Sequence, residues 1–409
     1  MLKLLLRSKC LLNHRIIAFI RFLIGRFNAV NVPQVSASLT FTTLLALVPL
    51  FTVTVVVIAA FPMFGDISDK FNTFITSVIT PSGAETVSTY LLQFRHQAGN
   101  LTAIGIIMMM VTSLLLVQTI ERTFNQIWRV RQARPLTMRV LVYWTLLTLG
   151  PLVLGFGLSA WGFLMSHADF TADYPVISKI VQLFSSIGFI TILLFLLYKI
   201  VPFRFVPTPH ALFGAVLTAL IFELVRSGFG LYVKNFNSYQ LVYGTFAAVP
   251  VFLLWLHLLW MILLSGAVFT AALSYWQDEA FRRTFHRGGR FEDVLKILLL
   301  LNQAQKEGKG FKIQQFRKHI NLGFDELGDL LTKLAAQNYV VRGQDGWVLK
   351  TDSNHIELDT LFQQFVYSPS SIDDTVAVHI KNLMHRGIED MNISLADFAA
   401  TIAIYERAV

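Results

Sequence analysis

LTALIFELVRSGFGLYVKNF, residues Leu217–Phe236, decides the fold class of this chain. The stretch is apolar and long enough for a helix across ~30 Å of hydrocarbon, which takes about 20 residues. It nevertheless carries Glu223 and Arg226, three residues apart. Working outward, five more segments have the same character: Ser36–Ala60, Leu101–Ile120, Leu141–Met165, Ile180–Tyr198 and Phe246–Ala272, with Ala211–Tyr232 as the fifth span in chain order. The runs are too long and alternate too weakly for barrel strands. A spanning helix also satisfies every backbone amide within its own segment.

Composition agrees. The 409 residues are 54% hydrophobic and 14% charged, with a mean hydropathy of +0.57, where a soluble domain carries roughly 25% charged residues. The formal charge of +9 is unevenly spread. Residues 291–409 hold 12 basic and 16 acidic side chains, a balance of −4, so residues 1–290 hold +13. A basic membrane half fits anionic lipid headgroups rather than nucleic acid. The lone Cys10 leaves no internal disulfide and no cysteine-based metal site.

Lys and Arg in the connections set the expected orientation. Lys3, Arg7, Lys9, Arg15, Arg21 and Arg26 precede the first span; Arg122, Arg129, Arg131, Arg134 and Arg139 follow the second; Lys199 and Arg204 follow the fourth; Arg282, Arg283, Arg287 and Arg290 follow the sixth. Only Lys70, Arg95, Lys179 and Lys234 lie on the other side. Both termini are expected in the cytoplasm, with the chain multi-pass in a bacterial inner membrane. The N-terminus lacks the apolar run and small-residue site of a cleaved signal. A helical wheel of Asn13–Asn28 sets His14, Arg15, Arg21, Arg26 and Asn28 against Ile17, Ile20, Leu23, Ile24 and Phe27, an interfacial pattern. Two short helices, Asp66–Thr80 and Ala84–Gln97, are expected along the outer surface.

Beyond Phe291 the pattern becomes that of a soluble domain. Helices are expected over FEDVLKILLLLNQAQKEG (ended by Gly308), KIQQFRKHI and FDELGDLLTKLAAQN, then two strands around Gln-Asp-Gly in YVVRGQDGWVLK. The fold class is therefore an all-α polytopic membrane protein with six transmembrane helices, plus a C-terminal cytoplasmic winged-helix-like α+β domain. The expected divisions are a basic interfacial segment over 1–35, a six-helix membrane domain over 36–276, the winged-helix-like domain over 291–352 and a helical extension over 353–409. Asp325, Glu326 and Asp329 on the third tail helix oppose phosphate binding. The tail is thus expected to meet a cytoplasmic protein partner rather than nucleic acid.

Four stretches, SASLTFTTLLALVPLFTV, TFNQIWRVRQARP, YWTLLTLGPLVLG and FELVRSGFGLYVKNFNSYQLVYGTFAAVPVFLLWLH, resemble the YihY/BrkB family of bacterial inner-membrane proteins, once labelled "ribonuclease BN". The resemblance covers roughly Asn13–Trp276 and is most specific in SYQLVYG. It implies a six-helix membrane domain with cytoplasmic ends, and for the function a part in moving lipid or envelope precursors. The long tail departs from the family's shorter members.

Catalysis has little support in the residues. The ten histidines are scattered, with no clustered ligands for metal-dependent phosphodiester cleavage. There is no phosphate loop and no nucleophile elbow. The chain is expected to be no enzyme and to need no cofactor or metal.

Ionisable groups inside spans are costly and mark candidate sites. Depth counting brings Glu223, Arg226 and His257 to neighbouring levels of spans five and six. One reading is a site that engages a substrate headgroup or relays a proton. The alternatives are a structural Glu223–Arg226 bridge, with His257 bonded to a carbonyl, or an Arg226 that snorkels outward. A second group, Glu121, Arg122, Asn125, Arg129 and Arg131, stands at the cytoplasmic end of span two, as interface anchors or as an inner gate contacting lipid phosphate. Pro49, Pro151 and Pro250 suggest irregular spans around a cavity. The leading functional expectation is handling of a lipid or other amphipathic envelope component; a scaffold or regulator acting through its tail is the alternative, and a ribonuclease comes last.

Overall fold

The computed structural model describes residues 2–59, 103–130, 134–135, 137–145, 175–235, 248–282, 287–367 and 375–408. Within them the chain is dominated by helices. These are α1 (Leu2–Val30), α2 (Val32–Ala59), α3 (Ala103–Ile127), α4 (Pro175–Ile200), α5 (Thr208–Asn235) and α6 (Ala248–Ala272), with a helical stretch at 137–145. Spans one, two, four, five and six of the sequence reading fall on α2, α3, α4, α5 and α6. The third lies outside the described residues beyond 145, as do the two outer helices and the SYQLVYG loop.

Among the described residues two helical segments, Thr208–Val233 and Val249–Tyr275, are long and apolar enough to cross a membrane. A third candidate is the pair Arg15–Val30 and Val32–Leu47, bent by 46°. The bend sits at Asn31, whose φ of 57° is left-handed and whose carbonyl still accepts from Val35 at 3.1 Å. Pro33 then occupies the first turn of α2, where a missing N–H costs nothing. Pro250 lies near the described start of α6. Pro49 does interrupt the interior of α2, while Pro151 is outside the described residues.

Residues 23–272 form one compact unit. Its core joins Leu39 of α2, Phe124 and Ile127 of α3, Tyr198 of α4, Ala211, Ala215 and Ala219 of α5, and Leu264, Ala267 and Val268 of α6. Alanine at every fourth position gives α5 a smooth face. Small residues let neighbouring helices approach closely, which is how helices associate where no hydrophobic drive separates protein from lipid.

Residues 1–22 and 273–409 form the other unit. After short 3-10 turns at Leu273–Tyr275 and Gln277–Arg282 come α7 (Arg287–Lys306), α8 (Ile313–His319), α9 (Phe324–Ala336), β1 (Val340–Arg342), β2 (Trp347–Leu349), α10 (Leu358–Phe365), α11 (Thr375–Glu389) and α12 (Leu395–Ala408). The strands pair antiparallel with Val341 opposite Val348, and Phe311 bridges to Trp347. Gly308 at φ 67° and Asn338 at φ 65° end α7 and α9. In each case the following residue bonds five positions back, Lys309 to Ala304 and Tyr339 to Leu334, in the Schellman arrangement.

One core unites the tail: Ile297, Leu298 and Leu301 of α7, Phe316 of α8, Leu327, Leu331 and Leu334 of α9, with Ile356, Leu361 and Leu395 contributed from beyond residue 352. Asp325 and Glu326 of α9 are buried, because the start of that helix lies against Tyr275. Of the three acids expected to oppose phosphate binding, these two are turned inward, while Asp329 is part-exposed and pairs with Lys333 at 3.2 Å. Arg317, also buried, donates to the Ser274 and Ile320 carbonyls.

Candidate functional site

Helix α5 carries the ionisable pair of the opening stretch. Arg226 Nη2 donates to Glu223 Oε1 at 2.5 Å, one turn along the same helix. The Glu223 side chain is 11% exposed and that of Arg226 30%. The second carboxylate oxygen, Oε2, is buried and accepts no hydrogen bond among the described residues. Such an orphaned acceptor costs about 1–3 kcal/mol, more when charged.

How α5 meets α6 determines whether His257 joins them. The sequence GAVLT at 214–218 on α5 recurs as GAVFT at 266–270 on α6, and the two repeats cross antiparallel. Gly214 lies against Thr270 and Gly266 against Thr218. Each threonine turns its hydroxyl back onto its own helix, Thr218 to the Gly214 carbonyl at 2.6 Å and Thr270 to the Gly266 carbonyl at 2.8 Å. Each glycine thus provides the opening that the opposite threonine fills. Tyr198 of α4 seals the crossing, donating to the Leu263 carbonyl at 2.8 Å with Thr218 Oγ1 at 3.3 Å. Neither the repeat nor its pairing was singled out from the sequence, although the repeated pentapeptide was visible there.

Extending this register pairs Phe229 with Trp255, whose rings indeed lie 4.9 Å apart. His257 then comes level with Ser227, four residues or about 6 Å farther along α5 than Glu223. It also stands 200° around α6 from Trp255, on the side that carries Trp260, whose Nε1 donates to Thr43 of α2 at 3.0 Å. Among the described residues no hydrogen bond or ion pair joins His257 to Glu223 or Arg226. The structure brings the first two together and sets the third about a turn along from Glu223, near the level of Arg226.

The second candidate group proves to be a junction of helix ends. Glu121 of α3 is buried. It accepts from Tyr143 Oη at 2.5 Å and from Asn125 Nδ2 at 3.4 Å, and faces Arg134 Nε at 3.6 Å. Arg134 is buried too, and its Nη2 donates to the Ile200 and Val201 carbonyls at 3.0 and 3.2 Å, against the Phe203 ring. Asn125 Oδ1 accepts the Phe203 amide at 2.9 Å. Arg26 of α1 makes the equivalent contact to the Ile127 carbonyl at 3.2 Å, and Arg204 to the Arg129 carbonyl at 3.0 Å. Ile127 and Ile200 are the last residues of α3 and α4. The arginines therefore satisfy the orphan carbonyls at helix C-termini, where a cation also meets the negative end of the helix dipole.

Arg129 itself stands left-handed at φ 52°. Val130 bonds back to Asn125 at 2.7 Å and Arg129 to Gln126 at 3.1 Å, so an arginine fills the place glycine favours. Arg122 and Arg129 are exposed; Arg131 lies outside the described residues. Sequence reasoning counted Arg134 and Arg26 only as orientation signals and missed them as partners of buried acceptors. Tyr143 was not considered. The available signal was that Glu121 is the one acid within this strongly basic connection, so a cation had to find it.

Among the described residues no cluster of three or more His, Cys, Asp and Glu side chains could hold a metal ion.

Comparison with known proteins extends over almost all of the chain. A family model described as "Virulence factor BrkB" matches residues 23–288. A UPF0761 membrane protein of Neisseria meningitidis serogroup B is 50% identical over 395 residues, covering 96% of this chain and 97% of that protein. One from Chromobacterium violaceum is 45% identical, covering 94% and 93%, and one from Azoarcus sp. is 38% identical, covering 93% and 95%. These matches run on through the tail that the family model leaves out. No solved structure matches.

Proposed function

The chain belongs to the YihY/BrkB family of membrane proteins, and from that premise we propose that it moves or handles a lipid or other amphipathic envelope component, without hydrolysing ATP, through the Glu223–Arg226 pair. In this reading the chain crosses a bacterial inner membrane six times with both termini in the cytoplasm, and no cofactor takes part. The observation that carries it is the half-satisfied carboxylate. Glu223 spends one oxygen on Arg226 and keeps the other buried with no hydrogen-bond donor among the described residues. A purely structural bridge gains nothing from that orphan, whereas a site that intermittently receives a hydroxyl, an ammonium or a proton requires it. Arg226, more open than its partner, meets the anionic part of a headgroup. Arg122 and Arg129, exposed at the ends of helices, offer lipid phosphate its first contact; His257 is ancillary.

Purified full-length protein in vesicles with fluorescent phospholipids tests this. Glu223→Gln and Arg226→Ala should each abolish most transbilayer movement, while His257→Ala should lower it less. Unaltered movement in Glu223→Gln and Arg226→Ala variants that melt like the wild type would refute the site.

A second reading has support of its own, from the tail's single continuous core and its order of three helices and two strands. This is a non-transporting scaffold whose winged-helix-like tail recruits a cytoplasmic protein. Absence of lipid movement under every condition, with loss of a co-purifying protein on deletion of residues 291–409, would favour it.

A further inference from the structure

The wheel drawn from the sequence gave α1 a basic face and an isoleucine face, and the structure turns Arg15 and Arg26 of the basic face toward the protein. Arg15 Nη2 donates to the Trp276 carbonyl at 2.7 Å, its Nε faces Glu279 at 3.5 Å and its guanidinium covers the Trp276 ring. Phe19 packs edge-on against Trp276 and Phe281, and Phe22 against Tyr275. Farther along, Arg26 is buried on the Ile127 carbonyl. Residues 15, 19, 22 and 26 form one stripe, and the protein occupies it. The rotation of the helix is thereby settled, and Ile16, Ile17, Ile20 and Ile24 are left outward, 40–55% exposed.

We propose that this isoleucine stripe is a membrane-docking surface that lies in the plane of a lipid bilayer, at the boundary of acyl chains and headgroups. Three observations select lipid as the occupant. Asn31 alone separates α1 from α2, so the stripe is tethered within a residue of a second apolar helix. The first 35 residues carry six Lys and Arg and no acid, which suits an anionic surface and repels a basic partner. Arg21 and Asn28, both exposed, follow one margin of the stripe. A polar margin that persists along the axis suits a helix lying at the interface, where arginine stems reach along apolar surface to the phosphates. A helix running through hydrocarbon would have to bury it. The proposal is independent of the Glu223–Arg226 reading.

The test uses the full chain with Cys10→Ser and single cysteines Ile17→Cys, Ile20→Cys and Ile24→Cys, each carrying an environment-sensitive fluorophore. Leu383→Cys, at 80% exposure, serves as the aqueous reference. Protein is reconstituted in phosphatidylcholine vesicles with and without phosphatidylglycerol, then quenched with brominated lipids or with iodide. The three isoleucine positions should be quenched strongly and equally by brominated chains, and several-fold less by iodide than position 383. Iodide quenching like that of position 383 would overturn the proposal, and so would protection from both quenchers, the signature of a protein or second copy on the stripe. Residues 17 and 24 lie about 10 Å apart along the axis. Clearly different lipid-quenching depths at the two would show a helix crossing the membrane and overturn the in-plane placement.

Discussion

Replacing Gly214 by alanine probes the crossing that holds the candidate site in place. The added Cβ would lie 2.9 Å from Thr270 Cβ and 3.4 Å from Thr270 Cα, where carbon atoms prefer about 3.5–4.0 Å. Rotating the threonine cannot relieve this, because Cβ moves only with the backbone. The helices must therefore part by about 0.6–1 Å at this level, and a gap of 0.5–1 Å forfeits roughly a quarter to a half of each contact's attraction. Overpacking of this kind costs about 1–3 kcal/mol. Thr270→Gly removes the obstructing Cβ at its own cost of about 1 kcal/mol relative to a good helix former. The double variant should therefore be more stable than the two single losses predict, with a coupling of about 1 kcal/mol or more. Equilibrium unfolding of the full chain in mixed micelles, run for all four members of the cycle, measures that coupling. Gly214→Ala within about 0.5 kcal/mol of wild type, or an additive cycle, would refute the interlocked crossing.

Two other substitutions probe the junction at the helix ends. Arg134→Met strands the buried Glu121 carboxylate and should destabilise the protein by about 3–5 kcal/mol; adding Glu121→Gln should recover a large part of that in the same unfolding assay. Arg129→Gly removes the roughly 1–2 kcal/mol that a side chain costs in a left-handed conformation and should raise the melting temperature. A fall instead would show that the Arg129 side chain contributes more than its backbone geometry loses.

Much of the architecture could be read locally. A run of apolar residues reports its own transfer free energy into lipid, so α2, α3, α4, α5 and α6 lie where hydropathy places spans. Gly308 likewise foretold the end of α7, and Gln-Asp-Gly the turn between β1 and β2. Glu223 and Arg226, one turn apart on one helix, had little choice but to meet.

What only the tertiary structure decided is which groups from different helices share a place. Counting residues from span ends put His257 beside Glu223, but the antiparallel register of GAVLT on GAVFT shifts it by a turn and rotates it away. A helical wheel separates two faces of α1 without saying which is inside. Turning Arg15 and Arg26 toward the protein is favourable because carbonyls of Trp276 and Ile127 await them, and those carbonyls come from residues 101 to 261 positions away in sequence. Hydropathy is a property each residue carries alone, so the chain's apolar helices are written in it. Pairing energy depends on two groups meeting, and only the packed helices determine which two do.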